Sequence, residues 1–187
     1  MANRFIHIDV EPDAEDWNTR ALKTGISDAT RGYIRWRPNN LCAAKIEPGV
    51  RGFPTPRSWV FADQIINSGL PPEVELDLLR GTVGEGHAAE FAGYIREEKT
   101  LGVIENYILN PAKAKVPESP STCHALVSAL ESRVTASNFP RVMEFMGRME
   151  KEFEVMFVSA AIKKDDAIAT TKTFIAWTEK NSDVLFG

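Results

Sequence analysis

Residues 53–59, Phe-Pro-Thr-Pro-Arg-Ser-Trp, constrain the fold most strongly, because they fix where one helix must begin. Thr55 is typical of an N-cap, and Pro56 of a first helical residue, since its ring is already set to the helical φ. Arg57 then falls in the first turn, where a cation opposes the helix dipole by about 0.3–1 kcal/mol. Free backbone N–H groups in that turn favour an anion. Arg57 therefore meets either an anionic partner or, more simply, a carboxylate on a neighbouring helix.

Apolar residues recur at helical spacing through most of the chain, and proline or glycine separates one segment from the next. This pattern predicts helices that begin near residues 13, 28, 56, 72, 84, 121, 139, 151 and 170. In the helix from residue 139, apolar side chains follow the i, i+3, i+4, i+7 spacing of one buried face. They are Val142, Phe145, Met146 and Met149.

One short segment, residues 5–10, alternates apolar and polar side chains as a half-buried β-strand does. A lone strand leaves backbone hydrogen-bonding groups unpaired, so it needs strands from elsewhere. We expect those strands in a part of the protein outside this sequence or in a partner chain. The predicted fold class is mainly α, with a helical bundle, a C-terminal helical extension and one N-terminal β-strand.

A proline-rich segment divides the chain. Residues 110–120 contain three prolines and predict a linker or an extended crossing. Residues 1–109 hold the strand and the first helices, and residues 121–187 hold the C-terminal helices. With 187 residues, the chain fits one compact domain or a small domain plus a helical extension.

Charge and composition exclude some classes of function. The net charge of −4 argues against a general nucleic-acid binder. No apolar run approaches the roughly 20 residues that cross a bilayer, and the N-terminus shows no signal-peptide pattern. With two distant cysteines, we expect a cytoplasmic protein without a disulfide framework. A local group of cations indicates either one anionic partner or an ordinary mixed surface: Arg31, Arg35, Arg37, Lys45, Arg51 and Arg57.

The sequence gives little indication of an active site that is complete within this chain. The chain has no phosphate-binding P-loop, and the glycine-rich residues 81–86 lack the lysine and hydroxyl that such a loop needs, which favours a flexible helix–helix junction. Histidines and cysteines form no pair at a usual zinc spacing, so no metal is expected. A nucleophilic pair of Cys123 and His124 is a remote alternative, because adjacent helical residues point in different directions.

Several motifs together resemble one protein family. They are Asn3-Arg4-Phe5 with the following strand, Trp17, residues 33–38, residues 53–59, residues 79–86 and residues 88–91. In this order they are similar to the last core strand, helical lid and C-terminal extension of a MoxR-type AAA+ ATPase of bacteria and phages. The resemblance covers essentially the whole chain and is more specific up to Tyr94. It implies a lid-like bundle at residues 1–109.

The resemblance also implies roles for two arginines. Arg57 matches the sensor 2 residue, which contacts the nucleotide phosphates, and Arg4 matches an arginine finger that faces a neighbouring subunit's nucleotide. Walker A, Walker B and sensor 1 motifs are absent from the sequence. We therefore expect no cofactor in the isolated chain, and ATP with Mg²⁺ in a complete ATPase. The implied partners are a nucleotide-binding core or identical subunits in a ring, and a protein substrate or adaptor.

A second interpretation is a non-enzymatic protein-interaction module. The C-terminal helices carry methionine and phenylalanine faces that could dock another protein. The N-terminal strand could instead complete a sheet in a second chain by strand addition.

Overall fold

The computed structural model describes residue 6, residues 10–43 and residues 49–181. This part of the chain is mainly helical, as predicted, and contains no β-strand. The strand predicted at residues 5–10 lies outside the described residues except for Ile6 and Val10, and neither of these belongs to a strand.

The described residues form ten α-helices. They are α1 (Ala14–Thr24), α2 (Asp28–Trp36), α3 (Pro56–Ile66), α4 (Pro72–Val83), α5 (Glu85–Glu98), α6 (Glu105–Leu109), α7 (Pro120–Arg133), α8 (Phe139–Met146), α9 (Lys151–Lys164) and α10 (Lys172–Lys180). Each predicted helix begins within two residues of its expected start, and only α6 was not predicted.

Side-chain caps explain why the first helices begin where they do. Asp13 accepts a hydrogen bond from the N–H of Asp16 at the start of α1, over 2.7 Å. Thr55 does the same for α3, where its hydroxyl oxygen lies 3.0 Å from the backbone nitrogen of Ser58. Each cap satisfies an N–H group that has no partner within the helix. Gly25 ends α1 with a φ of 80°, a conformation that favours glycine.

The helices α2 to α5 enclose one hydrophobic core, which we call the N-terminal core. Its centre is an aromatic cluster in which the ring centroid of Tyr33 lies 5.1 Å from that of Trp59 and 5.0 Å from that of Phe91. All three side chains are fully buried. Tilted and edge-to-face ring contacts of this kind are worth about 0.5–1.5 kcal/mol each beyond the buried area.

The helices α6 to α10 enclose a second core, the C-terminal core. It includes the four residues predicted to form the apolar face of α8, and all four are buried: Val142, Phe145, Met146 and Met149. Phe139 and Phe157 stack beside them with ring centroids 6.3 Å apart. The methionines here therefore fill core space.

The two cores meet where α2 packs along α7, and a buried ion pair lies between these helices. The side chain of Arg31 is fully buried and donates to Glu131 Oε2 over 2.7 Å and to the carbonyl oxygen of Ser128 over 3.0 Å. Arg35 donates to the same carboxylate oxygen over 3.0 Å. The boundary predicted at residues 110–120 stays a prediction, although the halves on either side of it are in contact through this pair.

Among the described helices, none combines the length and the apolar character needed to cross a bilayer.

We predict that Glu131→Ala lowers the free energy of unfolding by about 3–5 kcal/mol, because it removes the carboxylate that the buried Arg31 guanidinium contacts at 2.7 Å and leaves only Asp28, at 3.8 Å. Urea denaturation followed by circular dichroism measures this change. Arg80→Ala is the control, since Arg80 forms only exposed pairs, with Asp77 and Glu85, and the variant should lose about 0–1 kcal/mol. Equal losses in the two variants would show that the buried pair does not hold α2 to α7.

Candidate functional site

Arg57 lies on the outer side of the first turn of α3, exposed to solvent. Trp59, two residues later, is fully buried in the N-terminal core, and its Nε1 donates to the carbonyl oxygen of Asn40 over 2.8 Å. Because residues two apart on a helix point to different sides, burial of Trp59 turns Arg57 outward. The same packing therefore anchors α3 and exposes the cation.

The first turn of α3 offers little to an anion apart from this side chain. Pro56 has no N–H group, and the N–H of Ser58 donates to the hydroxyl of Thr55. The N–H of Thr55 in turn donates to Ser58 Oγ over 2.7 Å, which completes a capping box. The expectation of several free first-turn N–H groups is therefore wrong, because only the N–H of Arg57 remains among residues 56–58.

No carboxylate of the described residues forms a salt bridge with Arg57. Other arginines do have such partners, namely Arg31, Arg35, Arg37, Arg80 and Arg133. The nearest buried acid along α3 is Asp63, which is occupied elsewhere, because it accepts hydrogen bonds from Ser27 and Thr30. The simple alternative of a carboxylate partner on a neighbouring helix is thus not found in the part of the chain that the structure describes.

Arg57 lines a cleft with a volume of about 650 Å³, which we call the arginine cleft. Its lining side chains include two arginines and no carboxylate: Arg51, Phe53, Thr55, Pro56, Arg57, Ser58, Phe61 and Thr82. Four other clefts in the described chain each contain at least one carboxylate among their lining residues, and Arg57 also lines one of these, together with Arg20 and Asp63. The arginine cleft therefore has the charge that suits an anion.

The six-cation group predicted from the sequence does not form one surface. Arg31 and Arg35 pair with Glu131, and Arg37 pairs with Glu90 at 2.9 Å, so these three serve the fold. Lys45 lies outside the described residues. Arg51 and Arg57 remain, and both are exposed. In the sequence, Arg51 stands out only as one member of the six-cation group. The glycine that follows it, Gly52, was the local feature that could have distinguished Arg51 from the other cations.

Arg4, the second arginine assigned a role from the family resemblance, lies outside the described residues. Its predicted contact with a neighbouring nucleotide therefore stays a prediction.

The contacts of Cys123 and His124 do not suit nucleophilic catalysis. Burial raises the pKa of the Cys123 thiol, whose Sγ donates to the carbonyl oxygen of Pro117 over 3.6 Å. The ring of His124 packs edge-to-face on Phe153, with centroids 5.2 Å apart. Burial, helped by the charge of Arg35, lowers the pKa of His124 to about 4. A protonated thiol beside a weakly basic imidazole lacks the thiolate that attack requires.

For a nucleotide with Mg²⁺, the arginine cleft offers guanidinium groups and no carboxylate among its lining residues. The described residues contain no group of three or more histidine, cysteine, aspartate or glutamate side chains that could hold a metal ion. The arginine cleft therefore fits the phosphate part of such a ligand and not its metal.

We predict that His124 makes the protein less stable in acid. As the pH falls below 6.5, the unfolded chain binds a proton at His124, while the folded protein stays neutral there until about pH 4. Stability therefore decreases from pH 6.5 to pH 4, by about 1–2 kcal/mol after allowance for partial solvent exposure. Denaturant unfolding at several pH values measures this change.

His124→Phe is the matched variant, because it keeps the ring against Phe153 and removes the titration. Its unfolding free energy should fall less steeply with acid than that of the unchanged protein. Identical slopes for the two proteins would contradict the lowered pKa.

The family resemblance rests on sequence motifs alone, namely residues 3–10, Trp17 and residues 33–38, 53–59, 79–86 and 88–91. No protein-family model matches the chain, and searches of curated proteins and of solved structures found no match.

Proposed function

We propose that this chain forms the helical lid and C-terminal region of an AAA+ ATPase similar to the MoxR type. In that assembly Arg57 contacts the phosphates of a nucleotide whose main binding site lies on residues or chains outside this sequence. The observation that carries the proposal is the position of Arg57, which is exposed, lacks a carboxylate partner among the described residues and lines a cleft without acids.

The chemistry of the guanidinium group suits this role. Its charge is permanent, and its planar N–H groups can donate two hydrogen bonds to one phosphate. Such a charge-assisted contact is worth about 1.5–3 kcal/mol, which strengthens an existing site and does not create one. ATP with Mg²⁺, held by the core, supplies the phosphoryl group for hydrolysis. Arg57 would offset negative charge on that group.

Local packing explains how Arg57 could hold a defined position. Trp59 locks the rotation of α3, and the capping box between Thr55 and Ser58 fixes its first turn. A side chain on a rigid element reaches a ligand with less loss of conformational entropy. Movement of the helical region as a body would then bring the arginine to the nucleotide or take it away.

The chain contains a close control for Arg57. Pro140 and Arg141 repeat the Pro-Arg pair in the first turn of α8, and Arg141 is also exposed. Arg141 forms no salt bridge within the described chain, and it lines none of the five clefts. A Pro-Arg pair in the first turn of a helix is therefore not sufficient to place the arginine in a cleft.

We predict that Arg57→Ala in the complete ATPase lowers kcat by about 10-fold or more, because one charge-assisted contact to the phosphates is lost. Arg57→Lys should recover part of the rate, since it keeps the charge and loses the two-pronged geometry. Steady-state ATP hydrolysis measures both effects. Arg141→Ala should leave turnover unchanged.

Unchanged turnover in Arg57→Ala, with normal folding by circular dichroism, would remove Arg57 from the mechanism. A loss of the same size in Arg141→Ala would point to a general effect of surface charge.

An interaction module is the second candidate, and one observation favours it. Phe61 on α3 and Val74 and Leu78 on α4 are 49%, 45% and 45% exposed. Large apolar side chains left in water on neighbouring helices often mark a surface that another protein covers. The partner would be the nucleotide-binding core, an identical subunit, or a protein substrate or adaptor.

We predict that Phe61→Asp weakens any self-association of the chain, because it places a charge in this apolar surface. Light scattering over a range of protein concentrations measures the molar mass. Ile175→Asp is the control, since Ile175 is similarly exposed, at 47%, but lies on α10. If the unchanged chain is monomeric at every concentration, an identical subunit is excluded as the partner of the isolated chain.

A further inference from the structure

We infer that Arg51 is a second phosphate-binding residue, which shares a polyphosphate with Arg57 in the arginine cleft. This inference rests on the proposed function and extends it to a residue that the family resemblance did not assign.

The first argument is the close backbone contact beside Arg51. A Cβ atom placed on Gly52 would lie 2.7 Å from the carbonyl oxygens of both Arg80 and Gly81. One placed on Gly84 would lie 2.9 Å from the carbonyl oxygen of Gly52. Only glycine allows backbones to approach this closely. The glycine-rich residues 81–86 therefore do more than join α4 to α5, because the loop that carries Arg51 packs against them.

Hydrogen bonds fix the same loop on its other side. Ser58 Oγ donates to the carbonyl oxygen of Phe53 over 3.1 Å, and the N–H of Ala43 donates to the carbonyl oxygen of Pro54 over 2.9 Å. With the glycine contact at residue 52, these bonds hold three successive residues after Arg51. The backbone beside Arg51 is thus held against α3 and α4, while the Arg51 side chain stays exposed.

The second argument is electrostatic. Arg51 and Arg57 both line the arginine cleft, and its lining residues include no carboxylate to balance them. Two like charges held near each other repel, and a ligand with several negative charges removes that repulsion. An inorganic or nucleotide polyphosphate offers oxygens to both guanidinium groups at once. An acidic peptide could do so with two carboxylates, and the experiment separates the two ligands.

The test uses the whole chain, labelled with ¹⁵N, and inorganic tripolyphosphate as the probe in an NMR titration. We expect shift changes at the backbone amides of residues 51–58, apart from Pro54 and Pro56, which have no N–H group. The dissociation constant should lie in the millimolar range, since the main phosphate site is elsewhere. Arg51→Ala and Arg57→Ala should each weaken binding by about three- to tenfold. Arg141→Ala should bind as the unchanged chain does.

A further variant tests the position of Arg51 while keeping its charge. Gly52→Ala forces the loop away from α4, so it should weaken binding about as much as Arg51→Ala does. Gly86→Ala is the control, because a Cβ atom there would meet no atom within 4 Å. Circular dichroism checks that both variants fold.

The outcomes distinguish this inference from the proposed function. Normal binding by Arg51→Ala with weakened binding by Arg57→Ala would overturn the role of Arg51 alone. The reverse result would support Arg51 and count against the proposed function. If tripolyphosphate causes no chemical-shift change, the inference about Arg51 is overturned. The proposed function is then still tested by the turnover of Arg57→Ala in the complete ATPase. If succinate, which carries two carboxylates, binds as tightly as tripolyphosphate, the inference of a polyphosphate ligand is overturned in favour of an acidic peptide.

Discussion

An arginine without access to water needs a carboxylate beside it, and this requirement governs how the protein is assembled. Arg31 on α2 is fully buried and meets Glu131 on α7 where the two hydrophobic cores adjoin. Packing already limits a shift of α2 along α7, because a Cβ atom on Gly32 would lie 3.2 Å from the Cα of Ala125. The ion pair adds to this limit, because a displaced partner leaves a charge in a medium of low polarity. The relative position of the two cores is thus fixed by electrostatics as well as by packing.

The contrast between Arg31 and Arg57 is informative about function. Both side chains come from the same cation-rich part of the sequence, yet one is sealed between helices and the other faces an open cleft. Residues 29–34 of α2 are all buried, so Arg31 and Tyr33 are both covered, whereas on α3 the burial of Trp59 leaves Arg57 on the exposed side. Five of the eleven arginines in the described part of the chain form salt bridges, whereas Arg51 and Arg57 in the arginine cleft form none there and stay exposed.

Local signals made the helices predictable, and distant contacts limited what could be said of the site. Caps and prolines lie within a few residues of the helix starts they define, whereas α6 has only five residues and too short a pattern to detect. Arg31 and Arg37 could not be separated from Arg57, because their partners lie 100 and 53 residues away along the chain. Ser58, three residues after Thr55, was a local signal that the first-turn donors would be used, and it was missed.

The backbone contact at Gly52 has a consequence for motion. Gly84 is at once the last cap of α4 and the first cap of α5, and its backbone touches that of Gly52. Any change in the angle between those two helices must therefore displace the loop beside them. By thermodynamic reciprocity, a ligand that prefers one loop position also prefers one interhelical angle. The glycine contact would then couple ligand binding in the arginine cleft to the angle between α4 and α5.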